Sequence, residues 1–305
     1  MRLRIFSIML VLTAAFASIA VEAKADELPL PEVPTSLRTP GERAAYIVSH
    51  FWDGMDFSDT LRSRNNEFVE QNFVNYLSLF PHTPADTLKT AVPRLMQHAE
   101  ADTVAYNLLA DLADKYLYDP ESPMLDEESY IIFLESITGR GFMEASRRTR
   151  FDYELADAMK NRKGCKASDF DFIDSKGAKT SLYTSGDGKS MRILLFYDPD
   201  CDHCHEVIRE LETSPVVNGM LREGKISIFA IYAEGDETVW NGAKNSLPAG
   251  WTNGYSPDNR VEMDDIYILR RTPTLYLLDS DNTVLLKDPT AEQIIRYVSE
   301  KSNQS

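Results

Sequence analysis

The stretch MRILLFYDPDCDHCHEVIREL, residues 191–211, decides the reading of this chain. Arg192 to Tyr197 is a short apolar run rich in branched and aromatic residues, which predicts a strand buried on both faces. From Cys201 to Leu211 the apolar positions fall at helical spacing, which predicts a helix beginning near Cys201. Two cysteines three apart, in Cys201-Asp202-His203-Cys204, therefore stand where a strand hands over to a helix. Unpaired amides and the helix dipole stabilise a thiolate at such a place, so Cys201 is the candidate nucleophile. Cys204, one turn further along, is the candidate resolving thiol. Protonated His203 would favour the thiolate, whereas Asp198, Asp200 and Asp202 would oppose it. These effects have opposite sign, so the sequence leaves the direction of electron flow open.

Outward from this stretch the elements are strand-like. Phe170 to Ile173, a turn over Asp174-Ser175-Lys176-Gly177, and Thr180 to Tyr183 predict a hairpin. Ile226 to Tyr232 predicts a second buried strand, Thr274 to Leu278 and Thr283 to Leu286 two more, and Thr290 to Gln293 a capping box opening the last helix. The order is β-α-β, an insertion, then β-β-α. Trp240, Trp251 and Tyr255 fall in the insertion and are expected to pack its core, with Asn253-Gly254 making a turn. Thr272-Pro273 precedes the Thr274 strand, a place where an X-Pro bond can be cis.

The strand, the Cys201-x-x-Cys204 helix start, Thr272-Pro273 and the closing β-β-α together resemble the thioredoxin superfamily. More narrowly, Gly164-x-x-Ala167-x-Asp169-Phe170 and the insertion before Thr272 look like the exported TlpA-like and ResA-like thiol-disulfide oxidoreductases. The resemblance covers about residues 164–301. It implies a central mixed sheet, a cis Pro273 beside Cys201, a Thr272 backbone free to pair with an extended substrate, and enzymatic exchange through a redox-active Cys201–Cys204 disulfide with no other cofactor. Three positions depart from the TlpA-like pattern: Asp200 stands where Trp usually precedes the first cysteine, His203 where Pro precedes the second, and Val207 where a glutamate follows it.

Residues 41–163 read as all-helical. Apolar stripes run through Ala44, Ile47, Val48, Phe51, Trp52 and Met55; through Val69, Phe73, Tyr76, Leu77 and Phe80; through Leu88, Val92, Leu95 and Met96; through Val104, Leu108, Leu112 and Tyr116; and through Phe151, Leu155 and Met159. Pro93 is expected to end or kink its helix, and Asp126 to cap the helix carrying Tyr130, Phe133, Leu134 and Ile137. This region is similar to an uncharacterised helical domain that precedes thioredoxin-like domains in Bacteroidetes envelope proteins, a resemblance that carries no activity. The expected organisation is a signal peptide at 1–25, a proline-rich tether at 26–40, a helical domain at 41–163 and a thioredoxin-like α/β domain at 164–305.

At the N-terminus Arg2 and Arg4, the apolar run from Ile5 to Ala20 and Ala23-Lys24-Ala25 form a secretory signal, with an uncleaved anchor as the alternative. Export to the periplasm or cell envelope lets a dithiol cycle with its disulfide, and membrane association is not expected once the signal is removed. With 305 residues, 32 basic against 48 acidic side chains and a net charge of −16, the chain offers no broad basic surface for nucleic acid. The expected partners are protein thiol or disulfide substrates and a redox partner. The rival readings are a redox-silent thioredoxin-like scaffold of the envelope and, since His205 completes Cys201-x-x-Cys204-His205, c-type haem attachment. Zinc would need four ligands, and no second Cys-x-x-Cys or spaced histidine pair exists, so no metal site is expected. Cys165, the odd thiol, reads most simply as an inert side chain.

Overall fold

A computed structural model describes residues 27–186 and 188–302. The expected signal segment, residues 1–25, lies outside the described residues. The chain divides into two compact units, Met1–Ala156 and Asp157–Ser305.

The first unit is helical: α1 (Pro40–His50), α2 (Thr60–Ser63), α3 (Asn66–Leu77), α4 (Ala85–Ala99), α5 (Thr103–Leu117) and α6 (Glu127–Arg140), followed by α7 (Ala145–Met159), which crosses the division. Side-chain caps start them. Thr39 and Glu42 form a reciprocal box at α1, Asn65 accepts the Phe68 amide at α3, and Asp126 accepts the Ser129 amide at α6, as expected. Asp102 accepts the Val104 amide at α5 and also takes a two-pronged grip from Arg64 at 2.9 and 3.1 Å, which holds its carboxyl below the usual range. Phe51, Trp52, Phe57, Tyr76 and Phe80 pack ring against ring in the interior.

Four places here bear on the expectations. Within the segment expected as a tether, Leu28 is buried and donates its amide to Asn72 Oδ1 at 2.8 Å. Of the two outcomes expected at Pro93, an end or a kink, α4 does not end there: the carbonyl that loses its donor belongs to Lys89, on the exposed side, where water can replace the missing amide. On α5 the buried face runs through Ala105, Leu109, Leu112 and Tyr116 and leaves Val104 exposed, since small alanines allow close helix approach. On α7 Phe151 and Ala158 are buried, whereas Met159 is exposed.

The second unit is built on a seven-stranded sheet, in the order β2-β1-β5-β4-β3-β6-β7 among the described residues. The strands are β1 (Asp171–Asp174), β2 (Lys179–Ser181), β3 (Met191–Tyr197), β4 (Ile226–Tyr232), β5 (Thr252–Tyr255), β6 (Thr274–Leu278) and β7 (Val284–Lys287). The central β3 runs parallel to β4 and antiparallel to β6, and β4 runs parallel to β5. The helices are α8 (Asp202–Thr213), α9 (Pro215–Arg222), α10 (Glu237–Ala243), α11 (Arg260–Met263) and α12 (Ala291–Ser302). Alternation along β3 fills two cores: Ile193, Leu195 and Tyr197 join one with Leu211, Val217 and Ile294, while Leu194 and Phe196 join the other with Phe172, Val261 and Tyr267. The capping box at α12 forms, with Thr290 and Gln293 bonding each other's amides.

The insertion supplies a strand where a turn was expected. Asn253-Gly254 lies inside β5, between β4 and β1, and Trp240 packs on Tyr255 at 4.7 Å. Gly254 is there for closeness of approach: a Cβ on it would stand 2.5 Å from the Phe172 ring and 2.8 Å from the Ile173 carbonyl oxygen. Gly254→Ala is therefore expected to lower the stability of this unit by about 1–3 kcal/mol. Urea unfolding followed by fluorescence in a Trp52→Phe background, where Trp240 and Trp251 report, checks it.

Candidate functional site

The site begins with the turn that ends β3. The Asp198 carboxylate accepts the Asp200 amide at 2.7 Å, and the Asp198 carbonyl accepts the Cys201 amide at 3.2 Å. This closes the chain tightly enough to launch α8, with Cys201 as its cap residue in extended conformation. Cys201 Sγ accepts the Cys204 amide at 3.2 Å, the position that a serine or aspartate oxygen takes in an ordinary cap. The Asp198 amide points at Cys204 Sγ, 3.5 Å away. One residue thus shapes the turn and contacts the second sulfur, a role for which the sequence signal is the Asp-Pro-Asp that precedes Cys201.

The two thiols differ in access. Cys201 is half-buried, whereas Cys204 has no exposed surface and packs with Val207, Ile208 and Leu211 against the sheet. Burial pushes the Cys204 thiol up to about 12, helped by the neighbouring Cys201 sulfur and Asp198 and opposed by the Asp198 amide. Val207, where the TlpA-like pattern has a glutamate, lies in this apolar core and brings no carboxylate to Cys204.

Facing the thiols is the segment before β6. Thr272-Pro273 is cis, Pro273 is buried and Thr272 is exposed. The Thr272 carbonyl oxygen lies 3.7 Å from Cys201 Sγ, so the structure brings Cys201, Cys204, Thr272 and Pro273 together. His203 is placed differently. It is solvent-exposed and turns Nδ1 to Glu206 at 3.3 Å, which puts its hydrogen bond on the outer face of α8. His205, which completes Cys201-x-x-Cys204-His205, is exposed as well. No group of residues suited to a metal ion occurs among the described residues. Cys165 is exposed.

Sequence reasoning missed the support of the Thr272 segment. Arg271 donates from Nε to the buried Asp288 carboxylate at 3.1 Å and from Nη2 to the Asp288 carbonyl at 2.9 Å, and its own carbonyl accepts the Thr274 hydroxyl at 2.6 Å. The only sequence signal is the basic pair Arg270-Arg271 just before Thr272; the acid that answers it is seventeen residues away.

A thioredoxin-like protein from Bacteroides caccae, known from its crystal structure, is 34% identical over 89% of this chain and 98% of its own, with a TM-score of 0.84. The chain belongs to this thioredoxin-like family. Residues 11–161 match a family described as a domain of unknown function, DUF5106. The C-terminal domain of an uncharacterised Bacteroides fragilis protein is 36% identical over 46% of this chain and 98% of its own, with a TM-score of 0.44. The thioredoxin domain of a thiol-disulfide oxidoreductase from Bacteroides vulgatus is 18% identical over 46% of this chain and 96% of its own, at 0.39. No curated protein matches the chain.

The difference in access has a direct readout. Iodoacetamide at pH 8 is expected to label Cys165 and Cys201 in the reduced native protein and Cys204 only after denaturation, as counted by intact mass and peptide mapping.

Proposed function

We propose that this thioredoxin-like protein exchanges disulfides with protein substrates in the cell envelope, with Cys201 as nucleophile and Cys204 as resolving thiol. The observation that carries the reading is the asymmetry of the pair: Cys201 Sγ stands half-exposed between the Cys204 amide and the Thr272 carbonyl, with Cys204 buried behind it. The basic, apolar and small-residue pattern of residues 2–25 supports export, where such a pair can persist in either redox state.

In the reductive direction the Cys201 thiolate attacks one sulfur of a substrate disulfide. A Cys201–substrate disulfide forms, the substrate S–S bond breaks, and the expelled thiolate takes up a proton. Cys204 then gives up its proton and attacks Cys201 Sγ, forming the Cys201–Cys204 disulfide and releasing the second substrate thiol. Two electrons pass from protein to substrate, and a dithiol partner must return them. The oxidative direction is the reverse. Burial, the main cause that holds Cys204 protonated, persists through these steps, while the smaller opposition from the Cys201 sulfur is relieved once Cys201 is in a mixed disulfide.

His203 is the member of the expected set with the least direct part. Its exposure and its bond to Glu206 favour a modest influence on Cys201 through space, not a contact.

Cys201→Ser is expected to reduce insulin disulfides no faster than buffer. Cys204→Ser is expected to accumulate a mixed disulfide with its substrate, visible as a mass adduct that dithiothreitol removes. Equal turnover by both variants and the parent would leave the scaffold reading in its place.

A further inference from the structure

Asp288 follows β7 and is buried, with its carboxylate 3.1 Å from Arg271 and 3.9 Å from Arg270. Its amide donates to the Leu275 carbonyl at 2.9 Å, which ties it to β6. Arg271 is gripped along its whole length: Nε by the Asp288 carboxylate, Nη2 by the Asp288 carbonyl and its own carbonyl by the Thr274 hydroxyl. The next residue is Thr272, whose carbonyl faces Cys201 Sγ at 3.7 Å. Taking a carboxylate and a guanidinium out of water is costly, and such a pair adds little net stability over apolar packing of the same volume. What the two-point grip supplies is a defined geometry.

We infer that Asp288 is a positioning residue for disulfide exchange: acting through Arg271, it sets the Thr272 backbone against Cys201 so that an extended polypeptide substrate presents its disulfide to the Cys201 sulfur. The inference rests on the exchange reading of the cysteine pair. Asp288 touches neither sulfur. It therefore acts chiefly on how a substrate with a peptide backbone is aligned, and less on the reaction of Cys201 with a small disulfide.

Two disulfides of different kind separate these effects. Insulin carries a backbone that can lie along Thr272, whereas bis(2-hydroxyethyl) disulfide is small, neutral and has none. The full-length, fully reduced protein is mixed with each, and oxidation of the Cys201–Cys204 pair is followed in a single turnover. Asp288→Asn keeps the side-chain volume, removes the charge and suits the backbone φ of +52° at this position, which asparagine adopts readily. Arg271→Lys keeps the charge opposite Asp288 and removes the fork, and it carries the test if Asp288→Asn does not fold, as judged by near-ultraviolet circular dichroism.

The expected result is a loss of about tenfold or more in the rate with insulin. The rate with bis(2-hydroxyethyl) disulfide should change by far less than the rate with insulin. Parent-like rates with insulin in both variants would overturn the inference, as would equal losses with both disulfides. A parent protein that reacts with neither disulfide would instead bring down the exchange reading itself, and this inference with it.

Discussion

The second unit depends on how the chain turns at Asp198. A strand buried on both faces must leave the sheet and enter a helix within a few residues, and the backbone amides freed in the process need acceptors. Asp198 satisfies two of them, one with its carboxylate and one with its carbonyl, and Cys201 Sγ satisfies a third. The nucleophilic sulfur is thus also the cap of α8. A group whose chemistry requires exposure is held by a hydrogen bond that the helix needs in any case, so little extra structure is required to aim it.

The rest of the unit serves that turn from two sides. On one side β4 and β6 flank β3 and fix its end, and apolar residues of α8 and α12 bury Cys204 behind the first turn of α8. On the other, the segment from Arg271 to Thr274 is closed by bonds to Asp288 and within itself, and stands across from Cys201. The insertion adds β5 at the far edge of β4, where Asn253 accepts from Trp240 Nε1 at 3.3 Å and from the Tyr197 hydroxyl at 3.4 Å. Through Tyr197 it reaches the last residue of β3, just before the turn.

What was legible in the sequence was local. The apolar run Arg192–Tyr197, the cysteine spacing, Thr272-Pro273 and the Thr290–Gln293 box each carry their signal within a few residues, and the α/β thioredoxin-like fold followed from their order. Asn253-Gly254 misled because the same dipeptide that favours a turn also suits a strand whose neighbour comes too near for a Cβ, and only the pairing of β5 with β1 distinguishes the two. The α5 stripe misled because alanines count little in a search for apolar periodicity yet line closely packed helices. Asp288 was invisible for a different reason. Its partner is distant in sequence, and burial, which it shares with Asp102 among the described acids, is a property of the folded chain.

The acidic surroundings of Cys201 have one further consequence. Asp198, Asp200 and Asp202 lie within a few residues of the sulfur, and the nearby cations Arg270 and Arg271 both face Asp288. Carboxylates so placed act on charged groups that come within a Debye length, about 8 Å at physiological salt. A small thiol that carries two carboxylates meets repulsion there, while a cationic stretch of polypeptide is drawn in. Raising the ionic strength would weaken both effects.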